Sequence, residues 1–392
     1  MNAQPSGNRS LDIIYFSSID WNFTWQRPQQ LASRLSRHGK VFYVSPLGLR
    51  TVAWRDAGRI ARRFAFQIAH RSAAQRVPAL TIHTPLFYLP FPENRAAIRL
   101  NSKLLRRSVQ RWMIESNVEN PIIWAGSPSF AILDAIEGMD ARLLVYDCLD
   151  NFPLFHKNPY PIIDAEQQIA SRANIVFATA AELYDRMRLI NPHTFLMPNA
   201  ADYAHFSETA DREIPAEMEQ MKKPILGYVG EMAQWFDFDL VRALAARHPE
   251  WTIVLVGALH VNAGKAFDLP NIRHLGRKEY SQLPAYVRQF DVCLLPFKIN
   301  ALTASVNPVK MYEYLAAGKP VVSTPLREAM RYQDALWISD PADFARAVEQ
   351  ALQTRADPSR IRARQEIARQ NTWDGRVTEI VKILSEAIGA SA

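Results

Sequence analysis

Short apolar runs alternate with longer amphipathic stretches along most of the chain. Residues 11–18, LDIIYFSS, have the length and composition of a buried strand, and KVFYVSP from Lys40 reads as another. Between them a polar loop, WNFTWQ, leads into a predicted helix in which Pro28 suits an early position, Leu31 and Leu35 lie four apart and Gly39 supplies the stop. The runs PIIWAGSP from Pro121, RLLVYDCLDNF from Arg142 and ANIVFATA from Ala173 predict three more strands, the last feeding the helix AELYDRM. A second series follows: PILGYVGE from Pro224, WTIVLVG from Trp251, NIRHLG from Asn271, and LPAYVRQFDVCLLPF, a helix and then a strand. Strands followed by helices predict parallel sheets with right-handed crossovers.

The densest set of signals lies in SVNPVKMYEYLAAGKPVVST, Ser305 to Thr324. Asn307 suits a helix cap and Pro308 the first helical position, where no N–H is missed. Met311, Tyr314 and Leu315 form a buried stripe, Gly318 ends the helix, and Val321 and Val322 begin a strand. Lys310 and Glu313, three apart, project from one side of the first turn. Unpaired N–H groups and the helix dipole there favour a phosphate. Lys310 can hold a diphosphate oxygen, and the two oxygens of Glu313 can take both hydroxyls of a ribose. The same spacing also makes an ordinary surface ion pair.

Carried by EYLAAGKPVV, Glu313 to Val322, the chain resembles nucleotide-sugar glycosyltransferases of the two-Rossmann-domain (GT-B) fold, especially family 4 and related bacterial exopolysaccharide and cell-envelope enzymes. Further similarity lies in GYVGEMAQWFDFDL, WTIVLVG, LPNIRHLG and DVCLLPF, and more weakly in TWQRPQQLASRLSRHGKVFYV and LLVYDCLDNF. The resemblance implies an α/β chain of two Rossmann-like domains with an interdomain cleft and a C-terminal helix crossing back to the first domain. Expected boundaries are 1–205 for an acceptor- and membrane-facing domain, 206–370 for a nucleotide-sugar domain and 371–392 for the returning helix.

The resemblance also assigns expected roles. Glu313 holds the donor ribose, and Lys310 and Asn307 stand with it at the helix entrance. Gly230 and Glu231 lie at the diphosphate, Arg277 borders the base, and Asn300, Thr303 and Ser305 are polar contacts in the loop Lys298–Pro308, where a loop-capping role fits equally well. Gly227 and Gly230 are expected to admit the backbone to the diphosphate. Ser305 stands where family 4 has a second glutamate, and Glu231, Gln234, Asp237 and Asp239 occupy a region where that family has an arginine and a lysine. On the acceptor side the expected residues are Asp20, Trp25, Gln26, Arg27 and His156, with Asp150 and Asp147 able to orient or deprotonate an acceptor hydroxyl. Core packing for Trp25, a surface or structural role for Arg27 and a turn or cap for either aspartate are the plain alternatives.

Composition narrows this reading. The 392 residues exceed what one core usually serves, and an apolar fraction of 48% argues against disorder. Cys148 and Cys293 sit in apolar strand-like runs in different halves and read as buried thiols of a reducing compartment. The polar start MNAQPSGNRS and the lack of a long apolar run predict a cytoplasmic protein. The net charge of +7 is uneven: residues 1–120 hold 18 basic and 6 acidic side chains, the remainder 28 basic and 33 acidic. Segments 50–76 and 95–112 combine arginines with apolar residues, which fits peripheral docking on the anionic inner face of the cell membrane. No nucleic-acid recognition motif accompanies them.

The expected function is transfer of a sugar from a nucleoside diphosphate donor, UDP favoured, to a lipid-linked or polysaccharide acceptor. No cofactor is expected, and the sequence offers no spacing of metal ligands. A nucleotide-sugar epimerase of the same fold and a catalytically silent sugar-binding scaffold of a polysaccharide assembly are the alternatives.

Overall fold

A computed structural model of the protein describes residues 10–46, 79–85, 89, 94–156, 158–207, 213–265 and 267–391. The basic segment 50–76 lies outside the described residues. The chain divides into two compact units: residues 1–178, 183–196 and 377–392 form the first, and residues 179–182 with 197–376 form the second.

The first unit holds a seven-stranded parallel sheet of β1 (Ile13–Phe16), β2 (Val41–Val44), β3 (Leu80–His83), β4 (Ile122–Ala125), β5 (Leu143–Cys148), β6 (Ile175–Ala178) and β7 (Thr194–Leu196), in the order β3-β2-β1-β4-β5-β6-β7. β1, β2, β4 and β6 are buried throughout, as their uninterrupted apolar runs require of strands covered on both faces. The second unit repeats the plan with β8 (Ile225–Val229), β9 (Thr252–Val256), β10 (Ile272–His274), β11 (Val292–Leu295), β12 (Val321–Ser323) and β13 (Trp337–Ile338), again parallel, in the order β10-β9-β8-β11-β12-β13. Each sheet is thus doubly wound. The direction of winding reverses between β1 and β4 and between β8 and β11, and such sheets bind ligands beyond the C-terminal ends of the strands at that reversal.

Several packing details place the second site. A Cβ at Gly227 would lie 2.1 Å from the Phe290 ring, so this glycine makes room for a core aromatic and not for a diphosphate, correcting the expectation. Gly318 adopts φ +70 just past helix Val309–Ala316, as expected, and its carbonyl accepts from the buried Arg364 at 3.0 Å. Arg364 lies on helix Pro358–Gln370 with its guanidinium 5.4 Å from the Trp337 ring, and burial lowers its pKa to about 10. Cys148 and Cys293 are both buried thiols outside any disulfide. Among the described residues no helix is long and apolar enough to cross a membrane.

Candidate functional site

Helix Val309–Ala316 begins one residue later than expected, with Pro308 and not Asn307 in the capping position. Asn307 is buried and engaged elsewhere: Oδ1 accepts from the Asn199 amide at 3.1 Å, and Nδ2 donates to Glu328 at 3.0 Å and to the Tyr312 hydroxyl at 3.2 Å. Glu328 is itself buried and also accepts from the Ala181 N–H at 2.7 Å, so the Asn307 amide helps to satisfy a carboxylate that would otherwise be costly. Asn307 is a brace for the helix entrance, not a ligand contact.

On the helix, Tyr314 accepts from the Val229 N–H at 2.7 Å and so ties this element to the end of β8, beside the reversal point. Glu313, one residue earlier, is only 1% exposed and takes Lys310 Nζ on Oε2 at 2.7 Å. Among the described residues no donor reaches its other oxygen. Lys310 is 14% exposed and has N–H groups to spare. The ion pair foreseen from spacing is therefore buried and half-saturated, with one carboxylate oxygen and part of an ammonium left for a ligand.

The neighbouring loops differ from expectation. Gly230, at φ +155, gives its N–H to Val256 at 2.8 Å, and a Cβ there would lie 2.7 Å from the Tyr228 hydroxyl. Its conformation thus serves contacts with Tyr228 and β9. Glu231 pairs with His260 at 2.6 Å. Asn300 caps the short helix Ala301–Ala304, which forms inside the expected loop, and Thr303 completes a reciprocal box with it. Thr303 and Ser305 are each 1% exposed, so these side chains shape the loop and do not face a ligand. Arg277 is exposed after Gly276, beyond the edge strand β10.

In the first unit Asp147 is fully buried. Arg27 Nε approaches both of its oxygens at 3.1 Å and Nη2 reaches Oδ1 at 2.9 Å, while Trp124 donates to Oδ2 at 3.3 Å. A carboxylate with so many donors and no access cannot take a proton from a substrate, which removes Asp147 from the catalytic candidates and Arg27 from the acceptor contacts. Gln26 forms a capping box with Gln29 at the start of helix Arg27–Leu35. Asp20 accepts from the Asn22 N–H at 3.0 Å, closing a turn, and Trp25 lies edge-on to Trp21 at 5.6 Å. His156 is half-buried at the end of the 3-10 turn Phe152–Phe155.

Asp150 stands apart. It is half-buried beyond the end of β5, and among the described residues no side chain pairs with its carboxyl. Burial pushes its pKa up from 3.8 to about 7, the range a proton acceptor needs near neutrality. Sequence reasoning missed the nearby cluster in which buried Glu166 takes Tyr146 at 2.7 Å and is held by Arg186. Its members lie up to 40 positions apart and carry no motif.

Two doubly wound parallel units make up the two-Rossmann-domain architecture of the GT-B fold. Residues 223–354 match the family of glycosyl transferases group 1. The putative teichuronic acid biosynthesis glycosyltransferase TuaH of Bacillus subtilis is 26% identical over 289 residues, covering 68% of this chain and 72% of that protein. Sucrose-phosphate synthase from Thermosynechococcus elongatus superposes with a TM-score of 0.68 at 15% identity, over 97% of this chain and 100% of that one. Anabaena HepE in complex with UDP gives a TM-score of 0.63 at 15% identity, over 96% and 100%.

Proposed function

We propose that the chain transfers a hexosyl group from a nucleoside diphosphate donor, UDP before GDP, to a lipid-linked or polysaccharide acceptor of the bacterial cell envelope. The observation that carries this reading is Glu313: a carboxylate 1% exposed, with Lys310 on one oxygen and the other unclaimed among the described residues, in the second turn of a helix anchored to the end of β8. The free oxygen accepts from the ribose hydroxyls. Lys310 and the first N–H groups of the helix stabilise the departing diphosphate. HepE has been solved with UDP and with UDP-glucose, which supports the order of nucleotides. Asp150 accepts the proton of the attacking hydroxyl, and no divalent ion takes part.

The test is calorimetric titration with UDP and GDP. Glu313→Gln weakens UDP binding by about 1.5–3 kcal/mol, the worth of hydrogen bonds to a charged group, while the protein stays folded. Unchanged affinity would remove the ribose from this carboxylate. Turnover that disappears on addition of EDTA would overturn the metal-free scheme.

Membrane docking belongs to the same proposal. Helix Arg95–Ser116 buries Ala97, Leu105, Val109 and Trp112 and exposes Arg95, Arg99, Lys103, Arg107 and Arg111, each four residues from the next. Such a ridge suits anionic headgroups. Glutamine at all five positions abolishes sedimentation with phosphatidylglycerol vesicles at physiological salt; undiminished sedimentation would refute the ridge's role.

A further inference from the structure

We propose that a small pocket at the ends of β1, β2 and β4 seats one hydroxyl of an uncharged acceptor sugar ring, held by Ser127 and Ser129. The inference rests on the glycosyltransferase reading above and deepens it on the acceptor side.

The pocket is lined by four serines, Ser17, Ser45, Ser127 and Ser129, with Phe16 and Ile132 among the apolar walls. It lies beyond the C-terminal ends of the strands where the first sheet reverses its winding. Two of the hydroxyls are spent. Ser17 bonds the Tyr43 hydroxyl at 2.6 Å and the Ile19 carbonyl at 2.8 Å, and Ser45 accepts from Thr84 at 3.4 Å. The other two are unclaimed. Ser127 is 4% exposed, and among the described residues neither its hydroxyl nor that of Ser129 has a partner. Ser129 even occupies the capping position of helix Phe130–Ile136 without bonding to it. Both hydroxyls therefore keep donor and acceptor capacity for a ligand oxygen that enters the pocket.

Size and charge select the ligand. The enclosed volume is about 10 Å³, room for one water-sized group such as a hydroxyl. No lining residue is charged, so a phosphate would lose its hydration with no cation to replace it. The location adds the connection to chemistry. Ala125, the last residue of β4, pairs with Tyr146 of the neighbouring β5, and Ser127 and Asp150 each follow the end of their strand by two residues. Adjacent strands are about 4.8 Å apart, so a ring anchored by one hydroxyl at Ser127 spans toward the carboxyl of Asp150 with another.

The test uses the full chain and the methyl α- and β-pyranosides of glucose, galactose and mannose, titrated by saturation-transfer difference NMR. At least one binds saturably in the millimolar range, and Ser127→Val and the double variant Ser127→Ala/Ser129→Ala each weaken it tenfold or more. UDP affinity stays within twofold in both. The double variant removes hydroxyls without adding volume, so it decides the matter where valine disturbs packing. Equal binding by wild type and the double variant, as expected of a pocket holding only water, overturns the proposal; so does the absence of saturable binding by every glycoside, or stronger occupancy by methyl phosphate. Failure of wild type to bind UDP strikes the donor reading instead and leaves the glycoside result standing.

Discussion

The C-terminal edges of the two sheets treat their acids differently. At the first edge Asp147 is saturated, with Arg27 on both oxygens and Trp124 added, while Asp150, three residues later, has no side-chain partner among the described residues. At the second edge Glu313 is as deeply buried as Asp147, yet one donor holds one oxygen. Charge and burial therefore do not distinguish scaffold from site here. What distinguishes them is unused hydrogen-bonding capacity, since burying such an acid without full compensation is costly.

Substitutions sharpen that contrast, beginning with the largest effect. Asp150→Asn lowers kcat by about 10²–10⁴-fold, the usual worth of a general base, with donor Kd unchanged in a calorimetric check. Its pH signature is distinctive. Because the folded pKa is raised to about 7, the wild-type carboxyl favours the fold fully below pH 3.8 and loses that contribution as pH climbs toward 7. The asparagine variant thus gains thermal stability over wild type progressively from about pH 4 to 7 and holds the gain above it. Activity of the wild type rises through the same interval as the base ionises. A melting-temperature difference that is flat with pH would remove the perturbed acid.

Asp147→Asn should act on the fold and not on the chemistry. It leaves Arg27 buried without its counter-charge and costs about 3–5 kcal/mol, read by urea unfolding, while UDP affinity of the folded fraction is unaltered. Glu313→Gln gives the reverse pattern, with the loss of UDP affinity stated above and a smaller loss of unfolding free energy than Asp147→Asn, because Lys310 keeps some access to water and the glutamine oxygen still accepts from it. Equal destabilisation by the two substitutions would erase the distinction between the edges. Smallest is Asn300→Ala, which removes a helix cap and costs about 1 kcal/mol of stability, with UDP affinity within twofold.

Much of the fold was legible because buried parallel strands write themselves as apolar runs: the expected strands at 11–18, 224–230 and 251–257 contain β1, β8 and β9. β3 and β13 were not read, being short edge strands with half-buried positions that break the run. The helix Ala301–Ala304 was read as loop although Asn300 and Thr303 stand at capping-box spacing, since one turn gives no hydrophobic period. Spacing also found the local pair Lys310 and Glu313. It could not find Arg27 with Asp147, which are 120 residues apart and meet only when the sheet closes, so nothing local separates a structural role for either from a functional one. Asn307 failed for a related reason: its local signal for capping lost to the distant Glu328.

The guanidinium of Arg364 on the Gly318 carbonyl fixes the far end of the helix that carries Glu313. Helix Pro358–Gln370 is therefore a lever on a carboxylate it never touches. A shortened protein that stops before residue 358 would keep every residue assigned to the nucleotide and still present Glu313 loosely, so trimming the C-terminal side in search of a minimal donor-binding fragment is self-defeating.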